Sequence, residues 1–174
     1  MSQSGRTNSG FTLIELSIVV IVIGIISVSA IPALDRLGDT RQAAALSEIH
    51  AALRSVRAHA LALGDPAGLR IDPPTETIEL MWIAPGSSPG PLLDPLGSPE
   101  EPIDLALLYE DADITSVSLP DGSNGSGTIW FSNGGGLELY ESDGTYIGPA
   151  MNDGVIVLEG VGQITIDRFT GRIQ

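Results

Sequence analysis

GFTLIELSIVVIVIGIISVSAIPAL, Gly10–Leu34, is the stretch whose reading decides the fold. After Gly10 it continues for 24 residues in which Glu15 is the sole charge. A bilayer core about 30 Å thick asks for roughly 20 apolar residues of helix at about 1.5 Å rise each, so residues 11–34 predict a membrane-spanning helix. A secretory signal peptide places its small-residue cleavage site after the apolar core. Here the small polar segment MSQSGRTNSG precedes it, so a cut at that junction leaves the helix attached to the chain. Glu15 is costly in hydrocarbon, by a few kcal/mol or more unless partnered. Its carboxylate therefore requires a partner.

The helical pattern continues past Leu34. Leu46, Ile49, Leu53, Val56, Ala60 and Leu63 recur at steps of three and four, which draws one apolar stripe along a helix. Gly64 supplies a C-terminal stop, Pro66 forbids resumption, and the Pro-Ala-Gly after Asp65 reads as a turn. One long helix is thus expected from Phe11 to Leu63. Pro32 removes a backbone hydrogen bond and crowds the carbonyl four residues back, so a bend is expected between Val28 and Pro32. Gly24, Ser17, Ser27 and Ser29 are small residues that ease close helix packing.

From Leu69 onward the period changes to two. Thr77–Ile83, Ile114–Leu119, Thr128–Ser132, Leu137–Tyr140, Val155–Leu158 and Gln163–Arg168 read as short strands. Asp121-Gly122, Asn133-Gly134, Asp143-Gly144, Asp153-Gly154 and Thr170-Gly171 separate them as turns. Ala84–Pro102, with six prolines and three glycines, is excluded from central strands and helices and reads as a surface loop. Residues 103–109, IDLALLY, fit a short helix or a strand equally. The expected fold class is α+β: a long N-terminal transmembrane helix packed on a mostly antiparallel, sandwich-like β domain.

Charge bounds the partners. The chain carries 22 acids against 8 bases, all arginine, and between Ile71 and Asp167 there are seventeen acids and no base. Such a surface is solvated and self-repelling, and it repels phosphate backbones, so nucleic acid is disfavoured as a partner. There are no cysteines, which removes disulfides and thiolate metal sites. No catalytic constellation stands out. His50 and His59 are nine positions apart, about 180° around a helix, and do not form a metal pair. No nucleophile-elbow motif is present. Asp111, Asp113, Asp121 and Asn124 are weak calcium candidates, since calcium takes six to eight oxygen ligands, but their spacing is not that of an EF-hand; no metal or cofactor is expected.

Gly10 followed by Phe11-Thr12-Leu13-Ile14-Glu15, after a polar leader containing Arg6, resembles the type III signal sequence of type IV pilins and type II secretion pseudopilins. The resemblance implies that a prepilin peptidase cuts after Gly10 and methylates the new amine of Phe11. It implies that Glu15 directs assembly by neutralising a neighbouring subunit's N-terminal amine, and that Pro32 loosens the helix. Arg54-Ser55-Val56-Arg57-Ala58-His59-Ala60 and the tail from Ile164 to Ile173 are similar to the H-type minor pseudopilin and FimT-like group. The implied organisation is a leader at 1–10, a transmembrane half-helix at 11–34, an amphipathic half-helix at 35–63, and a globular β domain at 64–174 with a Pro-rich loop at 85–102. The implied function is that of a minor pseudopilin: a non-enzymatic subunit of the type II secretion pseudopilus, single-pass in the inner membrane with its globular domain in the periplasm. Its implied partners are other pseudopilins or pilins, the prepilin peptidase, an inner-membrane assembly platform and membrane lipid. The alternative is a FimT-like minor pilin of a type IV pilus, serving as a tip adhesion or DNA-binding module, where Arg168 and Arg172 are the basic residues to watch.

Overall fold

The computed structural model describes residues 12–109 and 112–174, with only the backbone of 28–37. The chain divides into two compact units, Met1–Gly38 and Asp39–Gln174. Helix α1 (Leu13–Leu63) contributes residues to both.

In the first unit, the described side chains of α1 from Leu13 to Ile26 present an almost unbroken apolar surface, with Leu13 84 % exposed. The part of it whose side chains are described, Leu13–Ser27, is about 22 Å long at about 1.5 Å per residue, short of the roughly 30 Å hydrocarbon core. Among the described residues no helix is long and apolar enough to cross a membrane. The expected span at 11–34 also takes in Phe11 and the side chains from residue 28 onward, which lie outside the described residues. Gly10 lies outside them too, and Pro32 is described only as helical backbone.

In the second unit, α1 buries Ala45, Ile49, Ala52, Leu53, Val56 and Ala60. These steps of one, three and four keep one side of the helix on the sheet. Two expected stripe residues differ. Leu46 is only partly buried at the edge, and Leu63 is 56 % exposed. Leu63 is the last helical residue, and the chain turns at Gly64, whose N–H donates to the Ala60 carbonyl at 3.0 Å.

The sheets begin immediately. Strands β1 (Ala67–Asp72), β2 (Thr77–Trp82), β3 (Gly90–Pro91) and β4 (Ile103–Asp104) precede a one-turn helix, α2 (Leu105–Leu108). Then follow β5 (Ile114–Ser118), β6 (Gly127–Phe131), β7 (Leu137–Tyr140), β8 (Tyr146–Pro149), β9 (Gly154–Leu158) and β10 (Gly162–Ile166). One sheet has seven strands in the order β3-β2-β1-β6-β7-β8, with β4 also paired to β2. A second has three, in the order β10-β9-β5, and every named pairing is antiparallel. The structure is therefore α+β with a curled antiparallel sheet.

Alternation sorts the two faces. Ala67, Leu69 and Ile71 of β1, Ile78 and Leu80 of β2 and Ile129 and Phe131 of β6 enter the core with the α1 stripe. Each fully buried Ile or Leu contributes about 1.5–3 kcal/mol relative to exposure. Glu79, Met81, Gly68, Arg70, Thr128 and Trp130 take the alternate, outer positions of the same strands.

Two local readings of the sequence are corrected by this topology. Ala67 and Gly68, expected in a turn, open β1, the strand that pairs with both β2 and β6. Gly68 belongs there because Trp130 on the neighbouring strand lies against it: a Cβ would sit 2.6 Å from the indole ring. Asp153-Gly154 is not a turn but the entry to β9, where Gly154 packs against Ile129. The undecided segment 103–109 is both things in succession, two residues of β4 and then α2, with the Asp104 carboxylate accepting from the Leu107 N–H at 2.9 Å as N-cap. Inside the Pro-rich segment, β3 pairs with the end of β2, and Leu92, 3 % exposed, pins it to the core through its N–H to the Leu80 carbonyl at 2.7 Å.

Candidate functional site

The start of α1 is built by two side chains. The Thr12 carbonyl accepts the Leu16 N–H at 3.2 Å, which makes Thr12 the N-cap. The Glu15 N–H donates to Thr12 Oγ1 at 3.3 Å, and Glu15 Oε2 accepts both the Thr12 N–H and the Thr12 hydroxyl at 2.8 Å. This is a reciprocal capping box, in which the N-cap hydroxyl and the acid three residues on satisfy each other's backbone donors. Glu15 thus has a partner inside its own chain, and only one of its two oxygens is used in these bonds. The spacing Thr-x-x-Glu before an apolar run is the sequence signal for this arrangement, and it pairs Thr12 with Glu15. Further along, Ser17 and Ser27 donate to the Leu13 and Ile23 carbonyls at 2.9 and 2.8 Å. These bonds to the preceding turn leave the hydroxyls partnered among apolar neighbours.

The calcium candidates do not converge. Asp121 Oδ1 accepts from the Ser123 N–H and hydroxyl at 2.8 and 2.7 Å, and Asn124 accepts from Ser118 at 2.7 Å, so both shape the turn after β5. Asp113 lies before β5, a strand whose five residues span about 17 Å. There it acts on Glu76 instead. Burial, a hydrogen bond that the protonated Glu76 donates to Asp113, and the charges of Asp113 and Asp104 push the Glu76 carboxyl up from its ordinary value. Asp111 lies outside the described residues. Among the described residues no group of three or more His, Asp or Glu side chains is placed to hold a metal ion.

His50 and His59 sit at the borders of the buried stripe, each with a buried Nε2 that has no hydrogen-bond partner. Burial first, and the Arg54 charge second, push the His50 pKa down. The His59 ring meets Trp82 edge to face at 5.8 Å.

At the C-terminus, Arg168 does not pair geometrically with Asp167. Its guanidinium donates to the Met151 carbonyl and lies 4.5 Å from the Phe169 ring centroid. Asp167 instead accepts from the Phe169 N–H and from the Thr170 N–H and hydroxyl, holding the last turn. Those bonds set its pKa below the ordinary carboxylate value, with Arg168 a smaller contribution.

Residues 5–31 match the family model described as the prokaryotic N-terminal methylation motif. The motif fits a type IV pilin-like subunit, and it implies processing by a prepilin peptidase, membrane anchoring and filament assembly with other pilins. No curated protein and no solved structure matches the chain.

Proposed function

We propose that the chain is a minor pseudopilin of a type II secretion system: a structural subunit rather than a catalyst. It is held in the inner membrane by residues 11–34, with its acidic β unit on the periplasmic side. The observation that carries this reading is the methylation motif over residues 5–31. The exposed apolar run from Leu13 to Ile26 supports it, because a surface of that kind needs lipid or other helices to cover it.

In this reading the peptidase cuts between Gly10 and Phe11 and methylates the Phe11 amine. Glu15 then serves twice. One oxygen caps its own helix through Thr12, which lowers the cost of holding a carboxylate in hydrocarbon. The other takes the N-terminal amine of the next subunit, and each charge is tolerated there because the other satisfies it. Pro32 loosens α1 so that neighbouring helices can adjust. The partners are other pseudopilins, the peptidase and the assembly platform. Nucleic acid is disfavoured by seventeen acids and no base between Ile71 and Asp167.

Glu15→Ala in the native organism tests the role: processing proceeds and incorporation into filaments fails. Normal incorporation of the variant would sink it. Deleting the gene separates the systems, since loss of protein export with normal piliation supports the pseudopilus, and the reverse supports a type IV pilus.

A further inference from the structure

The outer face of the seven-stranded sheet carries a cleft of about 480 Å³ that the assembly role leaves unused. Its volume falls in the range of small-molecule sites, about 300–1,000 Å³. Two aromatic rings, Trp130 and Tyr140, line it, and a third, Tyr146, stands against Tyr140. Trp130, 5 % exposed, lies over Gly68 at the bottom. Its ring centroid is 5.8 Å from that of Tyr140, and Tyr140 is 5.5 Å from Tyr146, its cross-strand partner in β8 and 53 % exposed. The Tyr140 hydroxyl is anchored by donating to Glu138 Oε2 at 2.6 Å. Burial holds Trp130 and this bond holds Tyr140 in place.

The polar lining identifies the ligand by elimination. Arg70 stands on one side, 3.5 Å from Glu79 in a solvent-exposed ion pair, and Asp121 and Glu141 stand among the other lining residues. A cation meets Arg70, and an anion meets two carboxylates. A purely apolar ligand strips water from the Asp121 and Glu141 carboxylates and gives nothing in return. A neutral ligand that alternates apolar ring faces with hydroxyls suits all of these groups. The weakly positive C–H face of a pyranose packs on the electron-rich aromatic face, while its hydroxyls donate to carboxylates and accept from guanidinium.

We propose that this cleft binds a neutral oligosaccharide, with Tyr140 as its stacking surface and Arg70, Asp121 and Glu141 as hydrogen-bonding groups. The proposal does not depend on the filament reading. The test uses the full chain in a zwitterionic, sugar-free detergent, with Trp82→Phe leaving Trp130 as the sole indole. An array of neutral glycans is followed by fluorescence titration of each hit, alongside tetra-arginine and tetra-aspartate as charged probes. The expected result is a saturable shift of Trp130 emission with at least one neutral glycan. Arg70→Gln and Glu141→Gln, both at exposed positions, each weaken it about tenfold with circular dichroism and melting temperature unchanged. Absence of any array hit, a saturable response confined to a charged probe, or a glycan affinity unmoved by both variants would overturn it.

Discussion

Arg57 and Thr170 tie the helix to the end of the chain: Arg57 Nη2 donates to the Thr170 carbonyl at 3.0 Å across 113 residues of sequence. The bond joins α1 to the turn that Asp167 holds, and Arg57 Nε beside it is buried without a partner. A hydrogen bond from a charged donor is worth about 1.5–3 kcal/mol. Arg57→Ala is expected to lower the unfolding free energy by about that amount in urea denaturation. Arg57→Lys recovers little of it, because an ammonium does not reproduce the reach of the guanidinium fork.

Gly171 sits in the same corner with φ 59°, and a Cβ there collides with the Gly135 carbonyl oxygen. Gly171→Ala combines left-handed backbone strain with a backbone clash, so a loss of about 2–4 kcal/mol is expected. Gly134→Ala, whose Cβ would lie 3.6 Å from Ser132 Oγ in ordinary contact, serves as the mild control in the same melts.

Thr12→Ala removes the hydroxyl side of the cap and costs about 0.5–2 kcal/mol of helix start, whereas Thr12→Ser keeps it. Amide exchange in the first turn of α1, at Leu13 to Leu16, reads the difference. Equal protection in the Ala and Ser variants would show that the cap is not formed.

Glu76 carries the clearest pH signature. Its folded pKa is raised above the unfolded value by burial and by Asp113 and Asp104. The protonated form is therefore favoured on folding: its contribution is fully present below pH about 4.5 and lost as pH rises through the folded pKa. Glu76→Gln is expected to raise the melting temperature at pH 7 and to leave it unchanged near pH 4. The same elevation at both values would contradict the raised pKa.

His50 works in the opposite direction. Its folded pKa is depressed, so its contribution is present above the unfolded value of about 6.5 and lost as pH falls through the folded one. His50→Leu is expected to flatten the loss of stability on acidification between pH 7 and pH 5, measured against the parent chain.

Much of this fold is written in periodicity. The α1 stripe at Ile49, Leu53, Val56 and Ala60 follows from steps of three and four, and Leu137–Tyr140 from alternation and flanking turns. The first sheet strand was hidden because Ala67 and Gly68 have poor strand propensity, and only the long-range approach of Trp130 explains a glycine in a paired strand. Tyr146–Pro149 was hidden as well, since the glycine and proline in β8 mask a strand that pairs with β7. At the N-terminus, Glu15 was legible from its isolation in apolar sequence, while its bond to Thr12 required the capping spacing. The oxygen ligands around β5 were grouped by proximity in sequence, and the strand between them holds them apart.

Four aspartates fix tight turns by accepting backbone N–H groups: Asp94 from Leu96 and Ser98, Asp121 from Ser123, Asp143 from Thr145, and Asp167 from Phe169 and Thr170. In a chain without cysteine they hold their loops where a disulfide would otherwise do so. These staples are indifferent to reductants, and those at Asp143 and Asp167 stay ionised below the ordinary carboxylate range. The turns at Asp143 and Asp167 are therefore held without a covalent cross-link and outlast acidification that would discharge an ordinary carboxylate.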